Sequence, residues 1–252
     1  MNGAAINVSN VTDNKNMEIR INNLIKQYGK NTVLDIPELT VQQGELVGLV
    51  GNNGAGKTTL MRLMLDLIEA TEGTVELGHC SVSEDPAWKQ TTGSFIDGRF
   101  LIDFYTPEEY FAFIAQTYGL SKDTLDSRLA EYHMLMHDEI LGTKKYLRQF
   151  SEGNRQKIGI IGAMMINPQL LILDEPFNYL DPTSQITVAR LIRQMNEQLG
   201  TTVIISSHNL NFVSEISSRI LLLEKGVVIK DLPNHDGSAT KELEDYFTTA
   251  EQ

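Results

Sequence analysis

Eight consecutive residues, Gly51-Asn52-Asn53-Gly54-Ala55-Gly56-Lys57-Thr58, follow the spacing G-x-x-x-x-G-K-[ST]. Glycines at these positions let successive backbone N–H groups turn inward and wrap phosphate oxygens. A helix opening at the end of the loop adds its positive N-terminal field to the same cradle. Lys57 would reach the terminal phosphates of a nucleoside triphosphate, and the Thr58 hydroxyl would ligate Mg²⁺. Thr59, next along the chain, is also expected to hold the nucleotide.

A second constellation lies further on, at Leu170-Leu171-Ile172-Leu173-Asp174-Glu175-Pro176. An apolar run of this kind reads as a strand buried on both faces of a parallel sheet. Ending it in two carboxylates places them at the sheet edge where parallel α/β folds bind ligands. Asp174 suits water-mediated coordination of Mg²⁺, and Glu175 suits positioning and polarising an attacking water. An apolar run ending in Asp-Glu is common on its own. Its weight comes from the phosphate loop upstream.

These side chains need elements to carry them. Met17 to Lys26 alternates as a strand does, and Leu46-Val47-Gly48-Leu49-Val50 is a short β-like run leading into the glycine loop. Behind the loop, Leu60, Leu63, Met64, Leu67 and Ile68 recur at helical spacing, so strand, loop and helix stand in the order a P-loop requires. Gly73 punctuates the return to a further strand. In the middle of the chain, Thr106-Pro107-Glu108-Glu109 is a helix start, with Thr as cap, Pro in the first turn and Glu109 reaching back. A second helix is expected from Ser121 to about Met136. Another follows Ser151, with Ile158, Ile161, Gly162 and Met165 on one face. After Asp181-Pro182 comes a helix carrying Val188, Leu191, Ile192 and Met195, closed by Gly200, and Thr202-Val203-Ile204-Ile205 is the next buried strand. The alternation is that of an α/β core interrupted by a helical insertion.

Three further pieces narrow the kind of P-loop protein. Phe150-Ser151-Glu152-Gly153-Asn154-Arg155-Gln156 opens a helix just before the carboxylate strand. Asn178-Tyr179-Leu180-Asp181 follows that strand, and Ser206-Ser207-His208 ends the next one. In this order the pieces resemble the ATP-binding cassette (ABC) ATPases, over nearly the whole chain from about Met17 to Phe247. The resemblance implies a P-loop α/β core, an antiparallel β subdomain and an inserted helical subdomain. The expected division is residues 1–16 as a flexible lead-in, 17–97 and 166–252 as the nucleotide-binding core, and 98–165 as the helical subdomain.

The resemblance also implies roles for individual residues. Ser151 and Gly153 match the family's signature sequence, which contacts the γ-phosphate of ATP held by a partner subunit. Asp181 matches the loop linking the two sites across a dimer, and His208 matches the switch histidine that senses the γ-phosphate. Tyr28 stands where the family has an aromatic that stacks on adenine. Asp97, in Thr92-Gly93-Ser94-Phe95-Ile96-Asp97, aligns with a glutamine that touches Mg²⁺ and the membrane partner. Departures accompany these matches: Phe150, Glu152 and Asn154 alter the usual signature, and Phe177 replaces a small hydroxyl residue. The function implied is that of the ATP-hydrolysing subunit of a membrane transporter. It would work as a head-to-tail dimer with a second copy or a paralogous ATPase subunit. It would drive a separate multi-pass permease from the cytoplasmic face of the membrane, with Phe100, Leu101, Phe104 and Tyr105 at the docking groove. The ending Leu243-Glu244-Asp245-Tyr246-Phe247 and the continuation Arg155-Gln156-Lys157-Ile158-Gly159 resemble the exporter-type branch. A non-transporting member such as an iron–sulfur assembly ATPase is the alternative.

Composition bounds the same reading. At 252 residues with 41% hydrophobic and 21% charged side chains, the chain is long enough for one large domain or two small ones. A formal net charge of −12 argues against broad contact with a nucleic-acid backbone, so no nucleic-acid partner is expected. The lone Cys80 excludes an intramolecular disulfide and a multi-cysteine zinc site. No apolar run approaches the roughly 18–20 residues that cross a bilayer. The polar first residues show no secretory signal.

Overall fold

The computed structural model describes residues 17–208, 210–234 and 237–250, so the expected lead-in of residues 1–16 lies outside it. Two sheets organise the chain. The strands β1 (Ile19–Tyr28), β2 (Asn31–Val41), β4 (Glu72–Leu77) and β5 (Cys80–Ser81) form an antiparallel sheet in the order β2-β1-β4-β5. The strands β3 (Leu46–Val50), β6 (Thr92–Phe95), β7 (Leu170–Leu173), β8 (Thr202–Ser207), β9 (Arg219–Glu224) and β10 (Val227–Pro233) form the second, ordered β10-β9-β3-β8-β7-β6. Pairing in this sheet is parallel except for β10, which returns antiparallel to β9.

The helices are α1 (Lys57–Met64), α2 (Pro107–Thr117), α3 (Lys122–Glu131), α4 (His133–Met136), α5 (Glu152–Met164), α6 (Pro182–Leu199), α7 (Leu210–Ile216) and α8 (Ser238–Ala250). Among the described residues, 98–165 contribute helices and short 3₁₀ turns but no strand. No described helix is long and apolar enough to cross a membrane.

The parallel sheet is buried on both faces, which is why its strands are nearly continuous in apolar residues. Alternation along β3 sorts the core. Val47 and Leu49 face a cluster shared with the antiparallel sheet and with Leu60 and Met64 of α1. Leu46 and Val50 face the other, which holds α5, α6, α7 and Leu243 of α8. The glycine loop leaves β3 where these two layers meet.

Three local expectations are corrected. The helix behind the loop ends at Met64 rather than running through Leu67 and Ile68. Asp66 turns left-handed at φ 52°, and the Leu67 amide bonds back to the Arg62 carbonyl at 2.8 Å, closing the helix as a glycine commonly would. Gly73 lies inside β4 rather than ahead of it. With φ 82° and the Asn23 carbonyl 2.1 Å from where a Cβ would stand, it serves the bulge at which β1 and β4 shift register. The helix expected from Ser121 to Met136 is two pieces. It tightens at buried Tyr132, whose amide bonds to the Leu129 carbonyl three residues back, and α4 restarts from there.

Other starts and stops follow the sequence closely. Thr106 and Glu109 form a reciprocal capping box, Ser121 and Ser151 cap α3 and α5, Asp181 caps α6, and Gly200 ends α6 left-handed.

Candidate active site

The loop of residues 51–58 runs from the end of β3 to the first turn of α1, with Gly56 at the N-cap position. It is seated against the end of β9. The Leu223 carbonyl lies 2.2 Å from where a Gly51 Cβ would be, so no side chain fits there. Further along, the Gly226 amide donates to the Ala55 carbonyl at 2.8 Å. Lys57 is buried, and its Nζ donates to the carbonyls of Gly51 at 2.6 Å and Asn52 at 3.4 Å. The ammonium is thereby held inside the curve of the loop.

Carboxylates reach this loop from β7. Register pairs Leu173 with Ile205, so Asp174 at the end of β7 lies beside Ser206 on β8. The Thr58 hydroxyl donates to Asp174 Oδ2 at 2.6 Å, and the Ser206 hydroxyl donates to Oδ1. Burial pushes the Asp174 carboxyl above its usual range, while the hydrogen bonds from Ser206 and Thr58 pull it down. Ser206 Oγ also accepts the Glu175 amide at 2.8 Å. Glu175 stands at φ 47°, an uncommon conformation for its type, and the Gln156 side chain bonds its carbonyl at 3.0 Å.

The Glu175 carboxylate is shared. His208 Nδ1 lies 2.9 Å from Oε2, and Lys57 Nζ lies 3.6 Å from Oε1. The structure therefore brings together Lys57, Thr58, Asp174, Glu175 and His208 from three separate stretches of chain. Ser206 and Gln156 join the cluster without having been expected there. The readable signal for Ser206 was a hydroxyl residue directly after the apolar run Val203-Ile204-Ile205, two positions before His208.

The remaining expected residues stand apart from this hydrogen-bonded cluster. Tyr28 ends β1 with 56% of its surface exposed, and Lys26 Nζ sits 4.9 Å from its ring centre. Ser151 is exposed, and its hydroxyl accepts the Asn154 amide. Exposed Glu152 puts a negative charge in the first turn of α5. Gly153 is where the chain at Tyr179 passes closest, its carbonyl 2.6 Å from a Cβ position. The Asp181 carboxylate accepts from the Ser184 amide and hydroxyl, bonds that draw it down to about 2, and Lys157 lies 3.7 Å away.

Asp97 is engaged elsewhere than with Thr58 or Asp174. Its Oδ1 accepts the Arg99 amide at 2.8 Å and its Oδ2 accepts the Arg99 guanidinium, which holds the carboxyl below its usual range. Phe177, in place of a small hydroxyl residue, is buried and stacks on Phe212 with ring centres 4.9 Å apart.

The first turns of α5 tie these parts together. Arg155 bonds Asp103 at 2.8 Å and the Gly98 carbonyl at 2.9 Å, Gln156 holds Glu175, and Lys157 faces Asp181.

Comparison with known proteins bears on this arrangement. Residues 34–178 match the ABC transporter family. The chain is 32% identical over 216 residues to the bacitracin transport ATP-binding protein BcrA of Bacillus licheniformis, covering 85% of this chain and 69% of the relative. It is 30% identical to the sulfate/thiosulfate import ATP-binding protein CysA 2 of Rhizobium meliloti, covering 84% of this chain and 59% of that one. Its fold matches the solved dimeric structure of a bacterial ABC transporter cassette with a TM-score of 0.77 at 23% identity, over 86% of this chain and 99% of the other. Family, relatives and fold agree with the P-loop, and this chain belongs to the ABC transporter family as an ATP-binding and ATP-hydrolysing subunit.

Proposed function

We propose that hydrolysis occurs at a composite site between two copies of this chain, or one copy and a paralogue, arranged head to tail. The observation that carries the hydrolytic half of this reading is the cluster in which Glu175 meets both Lys57 and His208 at the mouth of the glycine loop. Glu175 would hold the attacking water and take its proton, the role a carboxylate fills in phosphoryl transfer. His208 would keep that carboxylate turned toward the γ-phosphate. Lys57 would exchange its loop carbonyls for phosphate oxygens as ATP enters. Tyr28, exposed at the end of β1, would stack on the adenine. Ser151 and Gly153 of the second copy would present the N-terminus of α5 to the γ-phosphate.

The Thr58 hydroxyl and Asp174 carboxylate fit magnesium, a hard cation that takes one or two protein oxygens and completes its shell with phosphate and water. Bound there, the ion would neutralise charge on the transferred phosphoryl group. Asp97 would join it with its carboxylate already engaged by Arg99.

The permease partner would dock beside α2. Phe100 and Phe104 are 60% and 66% exposed, Phe113 stands nearby edge-on to Tyr105, and Arg148 lies over the Phe104 ring. A polar-rimmed aromatic patch of this kind suits a protein partner. Arg155 joins the adjoining loop to α5, so movement of the signature end would be felt at the patch. Docking there would hold the subunit on the cytoplasmic face of the membrane. Outward transport would follow from the exporter-type resemblance of residues 155–159 and 243–247.

Replacing Glu175 with Gln tests the site. Mg-ATP binding should persist, turnover should fall by about a hundredfold or more, and ATP should drive the variant into a dimer seen by size exclusion. Undiminished hydrolysis would assign the water to another residue, and a variant that stays monomeric with ATP would remove the composite site.

A further inference from the structure

The ending that carries Tyr246 has no part in the chemistry above, yet the fold places it directly behind the phosphate loop. The helix α8 is anchored along its length: the Asn234 side chain accepts the Ala239 amide, Leu243 is fully buried, and Glu242 pairs with Lys230 of β10. Near its end, the Tyr246 hydroxyl donates to Glu224 Oε2 at 2.5 Å. Glu224 is the last residue of β9 and enters the tight turn at Lys225 and Gly226.

That turn is what the loop leans on. Leu223 packs its carbonyl against Gly51, and the Gly226 amide holds the Ala55 carbonyl at 2.8 Å. The Gly226 carbonyl in turn accepts the Asp35 amide from β2 at 2.8 Å, so the turn bridges the glycine loop and the antiparallel sheet. Between residues 52–55 and the wall made by Glu224, Lys225 and Tyr246 lies a cavity of about 200 Å³. The loop is therefore fixed from behind at Gly51 and Ala55, with open space behind the residues between them.

We propose that Tyr246 is a positioning residue for ATP binding, acting through Glu224 and the 225–226 turn to hold the curvature of the glycine loop. The inference rests on the assignment of that loop to the triphosphate. A cradle of backbone N–H groups binds well only when its curvature is set before the ligand arrives. The hydroxyl-to-carboxylate bond is charge-assisted and about twice as strong as a neutral one. It lies behind the loop and shares no residue with the cluster of Lys57, Glu175 and His208, so its removal should weaken binding and leave the chemical step alone.

The test measures Mg-ATP affinity by displacement of a fluorescent nucleotide, with steady-state kinetics, on the full chain and on Tyr246→Phe, Glu224→Ala and the double variant. The phenylalanine keeps the ring and its packing. Loss of one charge-assisted hydrogen bond should raise Kd and KM about three- to tenfold in Tyr246→Phe, with kcat within about twofold. The double variant should be no worse than the worse single one, because the two side chains act as one unit. Unchanged Kd and KM, a fall in kcat with KM unmoved, or additive effects would each overturn the proposal. If Tyr246→Phe lowers the melting temperature, Glu224→Gln decides, since it keeps an acceptor but loses the charge. An intermediate Kd supports the clamp, and a wild-type Kd overturns it. Failure of the unaltered protein to bind Mg-ATP would strike the loop assignment instead.

Discussion

The strand ends around Asp174 and the loop around Phe104 sit on the same sheet-and-helix block but are built on opposite terms. At the strand ends the site's polar groups are paired within the chain: Thr58 and Ser206 on Asp174, Lys57 and His208 on Glu175, Gln156 on the Glu175 carbonyl. Residues 98–105 instead expose large rings at Phe100 and Phe104, which burial inside this chain does not explain. Buried polar groups are costly unless satisfied, so a chemical site must be finished by its own scaffold. An apolar patch is finished by whatever covers it. The contrast separates what the subunit does by itself from what it does in company, and Arg155 is the link between the two.

The strongest way to break that contrast is inside the finished region. Ser206→Ala removes one donor from buried Asp174 and the acceptor for the Glu175 amide. Hydrogen bonds to a charged group are worth about 1.5–3 kcal/mol, so the Mg²⁺ concentration giving half-maximal ATPase activity should rise roughly ten- to hundredfold. Thr at this position restores the hydroxyl and should recover most of the loss. If the alanine variant titrates with Mg²⁺ as wild type does, the Asp174 network is packing rather than machinery.

The unfinished region should behave in the reverse way. Phe104→Ser alters an exposed ring stacked under Arg148. ATPase activity of the isolated subunit should stay within about twofold of wild type, as exposed substitutions usually allow. Recovery of the subunit with membranes containing its permease should fall severalfold. Equal recovery would leave the patch without the role argued for it, and a collapse of isolated activity would show that the two regions are not separate.

What could be read from the sequence divides along similar lines. Features set by neighbours in the chain were legible: the apolar run at Leu46 to Val50, the capping box at Thr106, the caps at Ser151 and Asp181, and the stop at Gly200. Features set by one residue's conformation, by side-chain pairing or by contacts between strands were not. The early end of α1 depends on Asp66 adopting a left-handed conformation that residue type alone does not demand. Buried Tyr132 breaks a helix that periodicity joins. Ser206 acquires its role only because parallel register sets β8 one strand away from Asp174. The carboxylate of Asp97 could be placed by alignment, but its capture by Arg99 could not. Spacing finds the residues a site needs, and packing decides which of them meet.

Asp181 gives the smallest expected effect and the finest test, because it belongs to both regions at once. Its carboxylate caps α6 through Ser184, and the loop that carries it is the one assigned to the contact between two copies. The Ser184 hydrogen bonds hold its carboxyl near about 2, below the roughly 3.9 of an unfolded chain. A depressed carboxyl contributes stability above the unfolded value and loses it as pH falls toward the folded one. Asp181→Ala should therefore lower stability by about 1 kcal/mol at neutral pH, the usual worth of such a cap. In urea titrations the gap from wild type should hold steady down to about pH 4 and close below it. Asp181→Asn keeps the cap but drops the charge, so it should retain most of the stability and lose the pH dependence. If that variant still dimerises with ATP as wild type does, the residue serves its own helix. If it folds as well but fails to dimerise, the same carboxylate also serves the partner.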